Sequence, residues 1–297
     1  MIFINYYDEI KNELVNNEIT KKVKDYSKNR SDLITYYNVG KLLSEAGKHY
    51  GEGIIKEYSK RLTNEFGTKF GITLLKRIRQ FYIVIEKGAT MSHQLSWSHY
   101  CELLPVNSID KINYYIKITK EQNLSIRELR TKIKNNEYER LDESTKEKLK
   151  EKEELKLPDL VKDPIQIRNT SGNNEISEKV LQKFILEDIE SFLKELGNGF
   201  CFIGSEYKIK IGDRYNYIDL LLFNYEFNCF VVVELKVTEL KKEHIGQIEF
   251  YMNYMDKNLK NINQNKTIGI IICKKENKYV IEYCSDDRII AREYELM

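Results

Sequence analysis

Two short apolar runs, Tyr217–Phe223 (YIDLLLF) and Phe230–Val237 (FVVVELKV), carry charges where a buried strand should carry none. β-branched and aromatic runs of this length, separated by the turn-prone stretch Asn224–Asn228, predict the two strands of a hairpin. Side chains alternate along a strand, so Glu234 and Lys236 share one face while Val233 and Leu235 take the other. With Asp219 opposite them, two carboxylates and an ammonium converge at one end of a buried sheet. Burying three charges is costly unless they pair or bind a metal. Two hard carboxylates beside a lysine suit Mg²⁺ and a phosphate ester. The blander reading of Glu-Leu-Lys, a strand end passing into solvent, is weakened by Asp219 and by an inward-facing acid on a flanking helix.

At 297 residues the chain has room for two domains of ordinary size, and its 21 tyrosines and 12 phenylalanines supply large side chains to bury. No stretch approaches the roughly 20 apolar residues needed to span a bilayer, and the first residues lack the basic and long apolar regions of a secretory signal. The five cysteines form no CxxC pair, and with four histidines at unsuitable spacing they exclude an ordinary zinc site. Such a chain is expected to be reduced and cytoplasmic, with no membrane association and no small-molecule cofactor. The net charge of +2 is unevenly spread. Residues 1–140 hold 24 basic against 17 acidic side chains, whereas residues 171–297 hold 17 against 21. A basic first half suits a polyanion, and an acidic second half suits cations.

The predicted organisation is an all-α domain over 1–141, a charged linker over 142–174 and an α/β domain over 175–297. In the first, apolar positions recur at helical spacing, and Gly67 marks a helix end. A second helix follows from Ile72 to Ile85, so helix, short turn and basic helix give a helix-turn-helix outline. Lys69, Lys76, Arg77 and Arg79 are candidate nucleic-acid contacts, with Gln80 a candidate base reader. Any αα-hairpin shares this outline. Further on, Ser125 and Glu128 form a predicted capping box, and Arg127 and Arg130 decorate the helix that it starts. Trp97 and His99 are read as a stacking pair or a site, with core packing the simpler role for the lone tryptophan. Residues 142–163 are almost wholly charged up to Pro158, and Pro158, Pro164 and the turn signal Thr170–Asn174 lead into the next domain.

In the last domain one helix is predicted from Ser177 to Leu196. Its stripe of Leu181, Ile185, Ile189, Phe192 and Leu196 extends back by one step to Glu178, a candidate third carboxylate. A helix start also tolerates an acid through its dipole. Strands are predicted at 200–204, 207–212, 217–223, 229–237, 267–273, 279–284 and 289–294, with a helix over roughly 241–259. The order α-β-β-β-α-β, with acids on the second and third strands, is the organisation of the PD-(D/E)XK nucleases. Gln247 and Tyr251, four apart on the second helix, fit the QxxxY element that some of them carry.

The whole pattern resembles the YhcG-like PDDEXK nucleases, which pair a helical DNA-binding-like domain with a C-terminal nuclease domain. The matching stretches are 79–82, 94–99, 195–200, 218–222, 233–236 and 268–273. The resemblance implies a restriction-endonuclease-like fold and metal-dependent phosphodiester cleavage. It carries catalytic identity onto Asp219, Glu234 and Lys236, with Gln247 and Tyr251 accessory. Ile218 replaces the proline of the general motif. Gln182 stands where a helix acid is expected, which leaves Glu178 as its substitute. The reading is a Mg²⁺-dependent deoxyribonuclease (Mn²⁺ substituting), more endonuclease than exonuclease, with DNA as partner and a homodimer suited to cutting both strands. Asp219, Glu234, the Leu235 backbone carbonyl and Glu178 are its candidate metal ligands. The alternatives are an inactive nuclease-fold DNA-binding or assembly factor, and a helical protein–protein adaptor.

Overall fold

A computed structural model describes residues 6–23, 28–170, 172, 176–284 and 286–297. The chain divides into two compact units, Met1–Tyr138 and Glu139–Met297. Among the described residues, no helix is long and apolar enough to cross a membrane.

The first unit is helical: α1 (Tyr6–Val23), α2 (Lys28–Tyr50), α3 (Ile54–Phe66), a 3-10 turn (Thr68–Phe70), α4 (Ile72–Glu86), α5 (Trp97–Leu103), α6 (Ile109–Glu121) and α7 (Ile126–Lys134). The predicted helical stripes are its core, where Val39, Leu43, Leu62, Leu75 and Ile78 are fully buried. Gly67 ends α3 at φ 79°, a conformation most side chains resist, and its N–H bonds the Thr63 carbonyl. Ser125 and Glu128 form the expected capping box. Trp97 is a packing residue, with ring centroids 4.6 Å from Tyr36 and 5.6 Å from Phe81. His99 is a cap: its Nδ1 accepts the Ser96 N–H at 3.0 Å.

The second unit begins earlier than the sequence reading places it. The stretch 142–174, expected to be a linker, carries α8 (Glu143–Glu151), α9 (Leu157–Leu160) and β1 (Ile165–Ile167). Leu157, Val161, Ile165 and Ile167 join the core of the unit. Arg292 bridges to Asp142 and Arg140 pairs with Glu195, which ties the charged part down as well. The charge of 142–156 hides a short apolar segment that follows it. Of the turn signal at 170–174, residues 171, 173 and 174 lie outside the described residues.

The remaining elements are α10 (Glu178–Glu187), α11 (Ile189–Leu196), β2 (Phe200–Ile211), β3 (Arg214–Asn224), β4 (Cys229–Glu239), α12 (Lys242–Asn258), β5 (Ile268–Lys275), α13 (Lys278–Glu282) and β6 (Ile289–Leu296). The single helix expected over 177–196 is two. Asp188 leaves helical geometry (φ −136°, ψ 53°) and caps α11 by accepting the Ser191 N–H. The apolar stripe runs on across the break, with Leu181, Ile185, Phe192 and Leu196 all buried, so periodicity alone does not reveal it. The two strands expected over 200–204 and 207–212 are one, β2, irregular between Phe202 and Gly204. The strand expected at 279–284 is helix α13. Asn277 caps it by accepting the Val280 N–H, and Tyr279 and Tyr283 are 76% and 82% exposed, so a strand there would bury little.

The sheet order is β1-β6-β5-β4-β3-β2. β2, β3 and β4 run antiparallel, while β4, β5, β6 and β1 are parallel neighbours. α10 and α11 pack on one face against Leu220, Leu222, Val231, Val233 and Leu235. α12 covers the other through Ile248, Tyr251, Met252 and Met255, against Leu221, Val232 and Ile271. A sheet covered on both faces explains why β4 and β5 read as continuous apolar runs.

α12 lies so close to β5 that a Cβ on Gly269 would meet Met252 Sδ at 2.6 Å and Ile248 Cδ1 at 2.8 Å. Gly269→Ala is therefore expected to destabilise the protein by about 1–3 kcal/mol through overpacking, read as a lower denaturant midpoint. An unchanged midpoint would show that α12 has room to move off the sheet.

Candidate active site

β3 and β4 leave register at the end of their shared ladder, after the pair Leu220–Val233. Asp219 is the next residue of β3, and Glu234 the next of β4. At this fork Asp219 bonds across to main chain: its Oδ2 accepts the Leu235 N–H at 2.8 Å. The N–H and C=O of a strand residue point to the same side, so the Leu235 carbonyl also faces the Asp219 side. Gln182 of α10 donates its Nε2–H to the Asp219 backbone carbonyl at 3.0 Å, holding that strand end from the other direction. Gln182 thus has a positioning part that sequence reading, expecting an acid there, did not give it.

Glu234 is 1% exposed and Lys236 8%. Lys236 Nζ donates to Glu234 Oε2 at 3.3 Å and lies 3.8 Å from Glu178 Oε2. Glu178, half-exposed at the first turn of α10, is therefore brought to the site. The remaining oxygen of Glu234, Oε1, is buried and has no hydrogen-bond partner. An unsatisfied buried carboxylate oxygen carries a desolvation cost that a cation would remove.

The ionisation states follow from burial and crowding. Burial, then the Asp219 charge, push the Glu234 carboxyl up to about 8. Burial also raises Asp219, against the pull of the Leu235 N–H and the Lys236 charge. For Lys236, burial acts downward, but Glu234, Glu178 and Asp219 outweigh it and hold the ammonium above its ordinary value. It stays a cation and a hydrogen-bond donor at neutral pH.

From the opposite face α12 contributes Tyr251, buried, and Gln247, whose Nε2–H donates to the Tyr251 hydroxyl at 3.3 Å. His244, one turn earlier on the same face, is also buried. Its imidazole is held below its ordinary pKa by burial and by the Lys236 charge, so it is neutral. The spacing of His244, Gln247 and Tyr251 is the signal that could have singled it out. Glu206 of β2 adds to the negative field on Asp219 and carried no sequence signal of its own.

Among the described residues, no group of three or more His, Cys, Asp or Glu side chains is arranged to hold a metal ion. The donor set is therefore two carboxylates, Asp219 and Glu234, with the Leu235 carbonyl. That suits Mg²⁺, which keeps several waters and is held by one or two carboxylates plus substrate phosphate. The unpartnered Glu234 Oε1 is the observation that supports the fit.

The candidate nucleic-acid residues of the first unit are largely engaged with neighbouring acids. Arg79 pairs with Glu52 through both terminal nitrogens, Arg130 with Glu102, and Lys69 Nζ lies 2.5 Å from Glu18 Oε2. Gln80 donates to the Leu104 carbonyl at 2.6 Å, so its amide serves the fold. Lys76, Arg77 and Arg127 are exposed.

Because the folded pKa of Glu234 lies above its ordinary 4.5, the folded chain keeps a proton that the unfolded chain releases. The stability that goes with this proton is fully present below about pH 4.5 and is lost as the pH rises toward about 8. In EDTA at pH 7.5, Glu234→Gln is expected to stabilise the protein by on the order of 2 kcal/mol, with the gain shrinking toward pH 5. A variant less stable than wild type at pH 7.5 would contradict the burial of an uncompensated carboxylate.

Residues 158–297 match the family model described as the YhcG PDDEXK nuclease domain, and residues 9–140 match the DUF1016 N-terminal domain. The chain is 26% identical to YhcG of Escherichia coli (strain K12), itself named only as a candidate nuclease, over 95% of this chain and 88% of that one. Among solved structures it is similar to a repair endonuclease from Pyrococcus abyssi, at 18% identity and a TM-score of 0.29 over 43% of this chain. It is also similar to EndoMS in a complex with dsDNA, at 17% identity, a TM-score of 0.29 and the same 43% share. The chain spans about half the length of these two, 49% and 48%, and so distant a likeness extends nothing to it. Residues 9–140 thus belong to the DUF1016 N-terminal domain family and residues 158–297 to the YhcG PDDEXK nuclease domain family, in an α+β protein whose helical domain comes first in the chain.

Proposed function

We propose that this chain is a Mg²⁺-dependent deoxyribonuclease acting from the fork between β3 and β4. The observation that carries the reading is Glu234 Oε1, a buried carboxylate oxygen without a partner, beside Asp219 and a protonated Lys236. Asp219, Glu234 and the Leu235 carbonyl would hold the metal. When bound, the metal lowers the pKa of a coordinated water and offsets charge on the phosphate in the transition state.

The chain's own residues supply the rest. Lys236, kept protonated by the surrounding carboxylates, donates hydrogen bonds to the attacking water or to a non-bridging phosphate oxygen. It is poorly placed to act as a base. Glu178, within ionic reach of Lys236, helps hold that charge in place; it forms no third carboxylate of a metal-holding group with Asp219 and Glu234. Gln182 and the Leu235 N–H keep Asp219 aimed at the fork. Gln247 orients water or substrate from α12, and Tyr251 packs behind it. In the helical unit, the exposed Lys76, Arg77 and Arg127 are the side chains best placed to meet phosphates.

Asp219→Asn and Lys236→Ala are each expected to lower DNA cleavage in Mg²⁺ by about 100- to 1,000-fold, the scale seen when one preorganised group at a developing charge is removed. The protein should still fold and still bind DNA. A panel of linear, nicked, single-stranded and four-way-junction DNA, with EDTA as control, measures this. Cleavage that survives both substitutions, or that proceeds in EDTA, would remove the assignment.

A further inference from the structure

The β2–β3 hairpin is longer than the sheet needs. Its ladder continues from Ser205–Leu220 through Tyr207–Ile218 to Ile211–Arg214. The β3–β4 ladder stops at Leu220–Val233. Residues 207–218 therefore form a two-stranded arm that runs on past the fork, beginning directly beside Asp219.

The two faces of the arm differ. Residues paired across an antiparallel ladder share a face, and faces alternate along each strand. Tyr207, Ile209, Ile211 and Ile218 lie on one face and pack into the core beneath α12, with Ile209 and Ile218 buried. That face fixes the arm in place. The other face carries the pairs Lys208–Tyr217 and Lys210–Tyr215. Tyr215 and Tyr217 are 52% and 51% exposed, and both lysines are exposed. Lys208 Nζ stands 3.7 Å from the centroid of the Tyr215 ring, and Lys210 Nζ 5.9 Å. The row stops at Tyr217, two residues along β3 from Asp219.

Half-exposed aromatic rings interleaved with lysines are the composition of a single-strand platform. Bases stack on the rings, and ammonium groups follow the phosphates. A duplex keeps its base faces stacked inside and offers such rings little to bind, whereas an unpaired strand exposes them. The arm carries three cations, Lys208, Lys210 and Arg214, against one acid, Asp213, in a domain whose overall balance is acidic. We propose that the outward face of the β2–β3 arm, through Lys208, Lys210, Tyr215 and Tyr217, binds an unpaired DNA strand and leads its backbone to Asp219. This rests on the nuclease reading above and narrows its substrate to DNA with a single-stranded segment.

The test is fluorescence anisotropy on the full-length protein in EDTA, with a single-stranded oligonucleotide, the same sequence as blunt duplex, and its RNA counterpart. The Tyr215→Ala/Tyr217→Ala double variant is expected to bind single-stranded DNA about 10- to 100-fold more weakly, with duplex binding changed less than threefold. Tyr215→Phe/Tyr217→Phe keeps the rings and should bind as wild type does, which a role for the hydroxyls would not allow. Lys208→Gln/Lys210→Gln should make the salt dependence shallower by about 1.4 in log–log slope, two phosphate contacts' worth on a single strand. Melting temperatures alongside show that each variant is folded. Single-strand binding unchanged in the folded alanine variant would overturn the proposal, and tighter arm-dependent binding of RNA would overturn the choice of DNA. Cleavage in Mg²⁺ or Mn²⁺ is scored separately. A wild type that binds through the arm but cuts nothing would sink the nuclease reading and leave the arm standing. A wild type that cuts while ignoring the arm would do the reverse.

Discussion

A carboxylate with almost no exposure, hydrogen-bonded at one oxygen and bare at the other, is what the second unit is organised around. Glu234 sits on a central strand whose two faces are covered by helices, so water does not reach it from above or below the sheet. Lys236 offsets part of its charge, and Asp219 adds a like charge back. Removing such a group from water without full compensation works against folding. The rest of the core must outweigh that cost. The aliphatic residues of β4 and β5 around it, buried on both faces, provide the surplus.

The same arrangement sets the chemistry. The fork between β3 and β4 frees the last side chains of both strands from the ladder while the Leu235 N–H keeps Asp219 in place. α10 reaches the fork with Glu178 and Gln182, and α12 reaches it with His244, Gln247 and Tyr251. Carboxylates raised by burial and a lysine raised by those carboxylates form one coupled group. A cation held at the fork would favour the ionised carboxylates and displace the proton that burial leaves there.

The parts of this picture that sequence reading reached are those in which local pattern and tertiary role agree. β3 and β4 announce themselves because strands buried on both faces have to be apolar, so Asp219, Glu234 and Lys236 stand out as exceptions. The capping box at Ser125 is a local device and needed nothing else. What was not legible depended on partners far away in the chain. Nothing in the run from Lys69 to Gln80 shows that Glu18, Glu52 and the Leu104 carbonyl occupy three of its polar side chains. The break at Asp188 is hidden because the apolar stripe steps across it without losing phase. The α13 segment is rich in β-branched and aromatic residues, yet only Val280 and Ile281 pack against the core, while Tyr279 and Tyr283 face solvent. Gln182 was noticed for the acid it lacks, and its bond to the Asp219 main chain needed the fold to be seen.

The measurement that bears most directly on the central claim is a calorimetric titration of Mn²⁺ into the wild type and Asp219→Asn at several pH values. Coordination at the fork predicts saturable binding in the wild type whose affinity rises as the pH approaches about 8. Proton release should make the enthalpy depend on the buffer, and the Asn variant should bind far more weakly. Binding equally strong in both proteins, or none in the wild type, would contradict the account of this site as a metal-dependent catalytic centre.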